Sequence, residues 1–376
     1  MNGWERVDYI KPAPDFHFTP SFGFDETFDL VGAEVRNLSE NVGLTEVCGF
    51  NRIEITGRDA HAFLDRMICG RLQRREGRVG LSYLLNHQGN IKGEATIANL
   101  PRSDRGPARI WYGSAAASEY HDMDWLTAHV RPEEDVHLRS LTNDQTILVL
   151  AGPKARAVLA ECARGDWSAE AFPWLSVREC HVGHAPATVM GVSFSGELAY
   201  EIHVPNASLY AAYLALREAG ERHGLTLFGT RAVESMRLEK GFLHWKADLI
   251  TEFDPYETGL SRFVAPDKGD FIGRDALIGR KADGPRRKLV TLRLQTASAP
   301  AHPGASLMFD DRVVGTVTSA GYGHRVRMNL AYAFVQPDLT HIGRVLQADI
   351  CGDLIPAEVI PPSPYDPDFD LLRNRA

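Results

Sequence analysis

The sequence predicts an α+β fold in which a duplicated α/β core is followed by a C-terminal β-barrel. The first observation is a β-turn-α unit that occurs twice, at residues 53–64 and 147–159, and aligns when Gly152 is laid on Gly57. The second is a series of short alternating segments over residues 288–360, separated by turn residues. With 376 residues, the chain is long enough for two to three domains.

Composition and charge argue against several classes of partner. The formal net charge is −8, acidic and basic residues are interspersed, and no block of lysine and arginine resembles a nucleic-acid-binding or membrane-binding surface. We therefore expect neither nucleic acid nor membrane as a partner. The five cysteines are widely spaced and odd in number, which predicts reduced thiols, and the N-terminus shows no signal peptide. These features favour a cytoplasmic location.

Motifs for common cofactors are not visible. The sequence has no Gly-x-Gly-x-x-Gly after a strand and no phosphate loop, so no site for FAD, NAD or a nucleoside triphosphate is predicted. His181–His184 and His121–Asp124 lack zinc-like spacing, and we expect no metal. Gly191–Ser195 nearly matches a nucleophile elbow, but its last glycine is absent and its context is a hairpin, which leaves a serine hydrolase as a minor alternative.

Periodicity places the elements of the first half of the chain. Residues 1–28, rich in proline and aromatic side chains, predict an irregular segment packed across a domain surface. The predicted elements that follow are a helix at 28–41 stopped by Gly43, a strand at 49–56, a helix after Gly57, strands at 80–100 and 108–113, a helix at 118–130, a second β-turn-α unit with Pro153 at its first helical position, and two strands at 177–189.

A hairpin at residues 79–100 carries the first carboxylate of interest. Its turn is the segment Asn86–Asn90, and Glu94 lies in its second strand. The ordinary interpretation of Glu94 is an exposed strand glutamate.

A second hairpin is predicted at Gly191–Pro205, with Val192–Phe194 as its first strand. In its second strand, Glu201 points to the face opposite Tyr200 and Ile202, because side chains alternate. The carboxylate therefore faces either solvent or a ligand, and paired N–H donors of a planar heterocycle would suit it.

The second half of the chain predicts helices before the barrel and a functional loop between them. The predicted elements are helices at 208–223 and 230–241, the second capped by Thr230, an irregular loop at 242–265, a short helix from 271, a linker at 281–287, barrel strands at 290–294, 313–318, 331–335 and 345–350, and a surface tail from 361. Polar and aromatic residues crowd the loop, including His244 and Trp245, which indicates a ligand pocket. Glu234 and Arg237, three residues apart, are typical of an intrahelical pair.

Eight blocks in order carry a family resemblance. They are Gly3–Arg6, Phe63–Arg66, Leu85–Ile91, Ser193–Ile202, Glu234–Gly241, Lys246–Leu249, Phe271–Leu277 and Gly315–Tyr322. Together they closely resemble the aminomethyltransferase (glycine cleavage T-protein) superfamily, and within it the folate-binding C-terminal region of dimethylglycine and sarcosine dehydrogenases. The resemblance spans nearly the whole chain. It implies three domains in a cloverleaf around a channel for tetrahydrofolate, with a one-carbon unit moved between an amine or other methyl donor and the folate.

The resemblance also implies roles for individual residues. Glu201 would bind the pterin amine and ring N–H, and Phe194 would form the aromatic wall where many members have tyrosine. The catalytic carboxylate, close to folate N10, would be Glu94. The family usually has aspartate there, and one extra methylene matters because catalytic contacts are sensitive to displacements of about 1 Å. Arg262 stands where related chains often have an aromatic residue, and it meets either an acidic substrate group or solvent.

Further folate-binding residues are implied by the same matching. Arg231 and Arg237 are candidates for the carboxylate tail and benzoyl end, because guanidinium suits carboxylate. Glycine-cleavage members place an arginine at the position of Val233, which leaves this pairing open. Tyr112 and Trp245 would complete the set. The implied domains are a folate-binding α+β domain at 1–50 with 140–280, a second α+β domain at 51–139, and a β-barrel domain at 281–376.

The leading hypothesis is tetrahydrofolate-dependent one-carbon transfer from a small methylated donor, an amine such as dimethylglycine or sarcosine. The product would be 5,10-methylene- or 5-methyl-tetrahydrofolate. Since the chain lacks the flavin domain of the dehydrogenases, capture of an oxidised carbon implies a separate FAD-dependent dehydrogenase subunit, whereas direct methyl transfer implies none. One alternative is a folate-dependent S- or O-demethylase. Another is a non-catalytic folate-binding accessory protein, against which the segment Lys240–Phe242 argues, because that branch has Lys-Gly-Cys.

Overall fold

The computed structural model describes residues 3–101 and 106–373, so the first two residues of the predicted N-terminal segment and the last three of the tail lie outside it. The helices in this part of the chain are α1 Phe28–Glu40, α2 Ala60–Met67, α3 Glu119–Ala128, α4 Ala155–Cys162, α5 Leu209–Glu221, α6 Thr230–Lys240, α7 Arg274–Asp283 and α8 Asp370–Arg373. Short 3-10 helices lie at Ala116–Ser118, Asn206–Ser208, Ser261–Phe263 and Pro337–Leu339. No helix in the described part is long and apolar enough to cross a membrane.

The strands form two sheets and a closed barrel. They are β1 Val42–Val47, β2 Asn51–Gly57, β3 Arg78–Leu85, β4 Ile91–Asn99, β5 Ala108–Ser114, β6 His137–Ser140, β7 Gln145–Ala151, β8 Val177–Val182, β9 Ala185–Met190, β10 Ala199–Pro205, β11 Leu225–Leu227, β12 Lys288–Leu294, β13 Ser306–Phe309, β14 Arg312–Gly323, β15 Met328–Val335, β16 Val345–Ile350 and β17 Asp353–Ile360. Sheet I has the order β11-β1-β7-β10-β9-β8 and sheet II the order β3-β4-β5-β2-β6. The barrel has the order β12-β15-β14-β13-β16-β17. This mixed architecture with a C-terminal barrel confirms the predicted fold class.

The predicted duplication is visible as two matching strand-turn-helix units. In sheet II, β2 passes through Gly57 into α2, and in sheet I, β7 passes through Gly152 into α4. Both glycines have positive φ angles, 117° and 124°. A Cβ at Gly57 would lie 2.1 Å from the Asp135 carbonyl oxygen, and one at Gly152 would lie 2.6 Å from the Asn41 carbonyl oxygen. Only glycine fits either turn without backbone movement.

Separate apolar cores stabilise the three β-structures. Helices α4 and α5 cover the outer face of sheet I, helices α2 and α3 cover one face of sheet II, and the barrel has its own interior core. The barrel is attached to sheet I through α6, where the Ser235 hydroxyl donates to the Tyr322 carbonyl oxygen at 2.7 Å. The other face of each sheet is its inner face, and the inner faces of sheets I and II pack against each other over part of their area.

Several local predictions are wrong. Val192–Phe194 is not a strand: residues 191–198 form a connection between β9 and β10, and it is β9 that pairs with β10. Pro153 lies before α4, which begins at Ala155, and Gly229 rather than Thr230 is the N-cap of α6. Five strands were not predicted, and each is short or interrupted by turn residues: β1, β6, β11, β13 and β17. Helix α7 extends to residue 283, so the predicted linker is reduced to residues 284–287.

Other local predictions are confirmed. Helix α1 begins and ends within one residue of its predicted limits. The hairpin of β3 and β4 turns at Asn86–Asn90, where the Asn86 backbone N–H donates to the Asn90 carbonyl oxygen at 2.9 Å. Helix α6 ends at Gly241, which has the left-handed conformation expected of a helix stop. All five cysteines are unpaired. The predicted domain boundaries stay a prediction.

Candidate functional site

Glu94 and Glu201 face the same cleft between the two sheets. Ala98 and Trp111 of sheet II pack against Met190 of sheet I. Glu94 lies on the same face of β4 as Ala98, because the two are four positions apart in an alternating strand. Glu201 is the cross-strand neighbour of Met190 and shares its face. Both carboxylates are therefore directed toward the space between the sheets.

Glu201 lies at the edge of the covered part of sheet I. Two residues before it, Ala199 packs in the core formed by α1 and α6. Two residues after it, the His203 ring lies 5.5 Å from the ring of Trp111 in sheet II. Between these contacts, the Glu201 side chain keeps 34% of its surface accessible. An accessible carboxylate between two packed regions is placed to meet a ligand that enters the cleft.

A buried histidine and a buried arginine stand behind Glu201, and sequence reasoning missed both. The Nε2 atom of His203 lies 3.2 Å from Oε2 of Glu201, and its Nδ1 atom lies 3.4 Å from a terminal nitrogen of Arg52. Burial lowers the pKa of Arg52 to about 10, opposed by the charge of Glu201. Burial also lowers the pKa of His203, opposed by its hydrogen bond to Glu201. The spacing of Glu201 and His203 on one strand face was the only available signal.

Glu94 has a different environment on sheet II. It pairs across the strands with Tyr83, whose hydroxyl donates a hydrogen bond to Oε1 of Glu94 at 3.1 Å. Burial raises the pKa of the Glu94 carboxyl to about 7, and the bond from Tyr83 offsets part of that rise. A carboxyl that titrates near neutral pH can hold or accept a proton under physiological conditions.

The irregular loop after α6 closes the cleft beside Tyr83. Tyr83 and Trp245 belong to one apolar cluster, and the Tyr83 and Phe263 rings meet edge to face at 5.3 Å. The indole N–H of Trp245 is buried, and among the described residues it has no hydrogen-bond acceptor. A buried donor without a partner costs about 1–3 kcal/mol. An acceptor on a bound ligand would remove that cost.

Phe194 begins a row of aromatic rings that runs through the loop after α6 to the C-terminal tail. It stacks on Phe242 at 6.2 Å with 11° between the planes, Phe242 meets Phe369 at 6.1 Å, and Phe369 stacks on Trp174 at 6.0 Å. Phe194 is 40% exposed although it is large and apolar. An exposed ring supported from behind by further rings is suited to pack against a planar ligand.

Tyr112 points away from the cleft. Its hydroxyl donates to Oδ2 of Asp122 at 2.9 Å, and its ring is buried in the core under α2 and α3. Burial, with the neighbouring charge of Asp122, raises the pKa of Tyr112 well above its ordinary value. The structure thus does not bring Tyr112 onto the strand face that carries Glu94.

Arg231 and Arg237 are both engaged by protein groups. The Nε atom of Arg231 donates to Asp8 at 2.7 Å, and its guanidinium lies over the rings of Tyr9 and Phe18. Arg237 is 3% exposed and donates to Asp248 at 2.9 Å, to Glu234 at 2.7 Å and to Ser319 at 3.0 Å. These contacts tie the N-terminal segment, the loop and the barrel to α6. Their proposed contact with a folate tail stays a prediction.

Two cavities of about 320 Å³ each lie at the Pro205 end of the cleft. One is bordered by Arg109, Trp111 and Arg139, and the other includes His203 in its wall. Neither is lined by Glu94 or Glu201. These two cavities are therefore separate from the residues around Glu94 and Glu201.

Four of the predicted site residues offer the kinds of groups that a planar heterocycle with donors and acceptors would need. Glu201 offers a carboxylate to N–H groups, Phe194 offers an exposed ring, and Trp245 offers an N–H that has no acceptor within the described part of the chain. Glu94 adds a group that titrates near neutral pH. The described residues contain no cluster of three or more histidine, cysteine or acidic side chains arranged to hold a metal ion.

Comparison with known families identifies both parts of the chain. Residues 1–268 match the family described as the GCVT N-terminal domain, and residues 287–366 match the glycine cleavage T-protein C-terminal barrel domain. Human mitochondrial dimethylglycine dehydrogenase is 31% identical over 361 residues, which are 95% of this chain and 41% of that protein. Human mitochondrial sarcosine dehydrogenase is 28% identical over 326 residues, which are 84% of this chain and 35% of that protein.

A solved structure has the same fold. The glycine cleavage system aminomethyltransferase T from Bartonella henselae superposes with a TM-score of 0.80 and covers 95% of both chains at 23% sequence identity. At that identity the likeness concerns the fold alone. The chain spans less than half the length of the two human dehydrogenases that it resembles.

Proposed function

This chain belongs to the glycine cleavage T-protein family, and we propose that it transfers a one-carbon unit from a methylated amine to tetrahydrofolate. The observation that carries the proposal is the placement of Glu94 and Glu201 on facing walls of one cleft, in unlike environments. Glu201 is partly accessible and is hydrogen-bonded to His203. Glu94 accepts a hydrogen bond from the Tyr83 hydroxyl, and its pKa is raised to about 7.

In this proposal Glu201 and Phe194 hold the pterin. The carboxylate of Glu201 accepts hydrogen bonds from the pterin amine and ring N–H, and two such bonds to a charged acceptor give both affinity and orientation. The exposed ring of Phe194 packs against the pterin plane, supported by Phe242. Trp245, whose indole N–H has no acceptor in residues 3–101 and 106–373, supplies a further donor.

Glu94 is the catalytic residue of the proposal. When bound, tetrahydrofolate supplies the nitrogen atoms that accept the one-carbon unit. The carboxylate of Glu94 orients this acceptor and holds or takes a proton, which its pKa of about 7 permits at neutral pH. The Tyr83 hydroxyl fixes one carboxylate oxygen, and this limits the freedom that the additional methylene of glutamate introduces.

The donor in this proposal carries a carboxylate as well as a methylated nitrogen. Arg262 is exposed beside Phe263, 4.9 Å from its ring centre, and its charge acts on Tyr83, the partner of Glu94. A guanidinium near the catalytic carboxyl suits the acidic group of a methylated glycine. The names of the related dehydrogenases point to the same donor class, dimethylglycine or sarcosine.

The oxidation state of the carbon decides whether a partner is needed. If the carbon arrives at the formaldehyde level, a separate flavin-dependent dehydrogenase must oxidise the amine, and the product is 5,10-methylene-tetrahydrofolate. If a methyl group moves directly, its bond to the donor nitrogen breaks, the demethylated amine leaves with the proton displaced from the folate, no oxidant is needed, and the product is 5-methyl-tetrahydrofolate. Both versions use the same two carboxylates, Glu94 and Glu201.

The test is to identify the folate product. Purified protein is incubated with tetrahydrofolate and either dimethylglycine or sarcosine, with and without a flavoprotein dehydrogenase. The folates are then separated and identified by mass spectrometry. The proposal expects protein-dependent 5,10-methylene- or 5-methyl-tetrahydrofolate. Saturable folate binding without any product under either condition would instead favour a non-catalytic accessory protein. Absence of folate binding would refute the proposal.

A further inference from the structure

A chain of polar contacts crosses the boundary between the two sheets and ends at Glu201. It begins at Arg52 on β2 of sheet II, passes through His203 on β10 of sheet I, and reaches the carboxylate of Glu201 two residues earlier on β10. Arg52 and His203 are 2% and 3% exposed. The contacts therefore lie in the buried part of the sheet interface, directly behind the accessible carboxylate.

The chemistry of arginine fixes the direction of these hydrogen bonds. A guanidinium group can only donate, so Nδ1 of His203 accepts from Arg52. The ring proton of a neutral imidazole then resides on Nε2, which donates to Oε2 of Glu201. The lowered pKa of His203, caused first by burial, agrees with the neutral ring. Among the described residues, Oε1 of Glu201 has no protein partner and remains for a ligand.

Burial of Arg52 needs an explanation beyond packing. One terminal nitrogen of Arg52 donates to the Gln145 carbonyl oxygen. Among residues 3–101 and 106–373, however, no carboxylate forms a direct ion pair with its guanidinium, and its Nε atom is buried without a partner. Burying a charge without a direct counterion is unfavourable. The carboxylate that acts on Arg52 is that of Glu201, reached through the imidazole. The arrangement thus maintains a defined hydrogen bond to Glu201 at some expense in folding stability.

We propose that His203 is a positioning residue for Glu201, and that Arg52 sets the tautomer in which His203 donates to that carboxylate. Because Arg52 belongs to sheet II and Glu201 to sheet I, the orientation of the proposed pterin-binding carboxylate depends on the docking of the two sheets. The inference rests on the proposed function of Glu201 in folate binding. It adds two residues that do not touch the folate.

Two near-isosteric substitutions separate positioning from packing. In His203→Gln the amide nitrogen extends about as far as Nε2 and can donate to Glu201, whereas in His203→Asn the amide is shorter and corresponds to Nδ1. Tetrahydrofolate is titrated into each full-length variant under reducing conditions by calorimetry, and thermal unfolding is recorded in parallel. A matched control is His223→Leu, which removes a histidine bonded to Glu161 at 2.7 Å on the far side of sheet I.

The expected result is a graded loss of affinity. His203→Asn binds tetrahydrofolate about tenfold more weakly than wild type, about 1.4 kcal/mol, whereas His203→Gln and His223→Leu stay within about threefold. In a Glu201→Gln background the His203→Asn substitution has no further effect, because the carboxylate that it positions is gone.

Three results would overturn the inference. One is equal affinity of the asparagine and glutamine variants, and another is an equal loss from His203→Asn in the presence and absence of Glu201. The third is failure of wild-type protein to bind tetrahydrofolate, which refutes the proposed function as well. The first two results leave the proposed function intact, so the two failures are distinguishable.

Discussion

The two sheets contain the same strand-turn-helix unit, yet they hold their carboxylates in opposite ways. Glu94 of sheet II is half-buried and accepts a hydrogen bond from a neutral phenol, and desolvation raises its pKa to about 7. Glu201 of sheet I accepts from an imidazole backed by a guanidinium and keeps a third of its surface accessible. The first environment suits proton handling, and the second suits a fixed acceptor for N–H donors.

In the proposed function, this difference gives the two sheets of a duplicated scaffold two separate roles. The turn glycines of the two units have similar φ angles, 117° and 124°, and each unit leads into an eight-residue helix. What differs are the side chains next to each carboxylate, Tyr83 for one and His203 for the other. The two sheets place the carboxylates opposite each other, and the neighbouring residues determine the environment of each carboxylate.

The largest expected effect is on kcat and comes from removing the carboxyl group of Glu94, which is proposed to hold or take a proton. Glu94→Ala should lower kcat about 100-fold or more, because general acid–base groups contribute roughly 10²–10⁴-fold, while tetrahydrofolate affinity changes little. The measurement is the rate of folate product formation at saturating donor. Glu94→Asp is the matched control, and it should retain most of the activity if the carboxyl group itself is required. A kcat for Glu94→Ala within about threefold of wild type would remove Glu94 from the mechanism.

The second effect concerns Glu201, the carboxylate that is proposed to bind the pterin. Glu201→Gln should weaken tetrahydrofolate binding about tenfold or more, because hydrogen bonds to a charged acceptor contribute about 1.5–3 kcal/mol, with a smaller effect on kcat. Calorimetric titration gives the affinity. Glu161→Gln, which alters a glutamate paired with His223 outside the cleft, should leave the affinity unchanged. Loss of kcat with unchanged affinity in Glu201→Gln would reverse the roles assigned to the two walls.

A third, smaller effect tests the origin of the raised pKa. The hydrogen bond from Tyr83 lowers the pKa of Glu94, so Tyr83→Phe should raise that pKa further above 7. If ionised Glu94 is the active form, the rising limb of the kcat/KM profile between pH 5.5 and 8.5 moves to higher pH. Tyr256→Phe, in the same apolar cluster, serves as control and should not move it. A shift to lower pH would contradict the assigned direction of the bond.

The smallest expected effect separates two roles for Arg231. Its contacts with Asp8, Tyr9 and Phe18 indicate that it anchors the N-terminal segment. Arg231→Met should therefore lower the free energy of unfolding by about 1 kcal/mol and leave tetrahydrofolate affinity within about twofold. Thermal unfolding and titration check both expectations. A tenfold loss of affinity without loss of stability would favour the folate-tail role that the sequence resemblance implies.

The sequence allowed prediction of site residues that lie in contiguous motifs. It did not allow prediction of contacts between residues that are far apart in the chain. Glu94 and Glu201 were found because each lies in a contiguous block with a recognisable pattern. Arg52 was missed because its partner, His203, is 151 residues away, and no pattern in β2 marks its contact across the sheet interface. Tyr83 was missed as a partner of Glu94 because their contact depends on the register of a hairpin with an irregularity between Leu84 and Leu85.

The errors in secondary structure have a similar cause. Residues 191–198 resemble a strand because of Val192 and Phe194, but the connection is fixed by tertiary contacts: Glu197 is buried and pairs with Arg325 of the barrel at 2.6 Å. Gly43 was interpreted as a helix stop, and it instead lies inside β1, which pairs with β7 and β11. In both places contacts with distant segments override local preference.

Transfer of an isotopic label is the most direct test of the proposal that Glu94 acts in catalysis and Glu201 in folate binding. Dimethylglycine or sarcosine with a ¹³C-labelled N-methyl group is incubated with tetrahydrofolate and wild-type protein, with and without a flavoprotein dehydrogenase, and label in the folate pool is followed by mass spectrometry. The account predicts protein-dependent labelled folate that falls about 100-fold in Glu94→Ala and recovers with excess tetrahydrofolate in Glu201→Gln. Labelled folate no higher than in protein-free controls, under every condition, would contradict it.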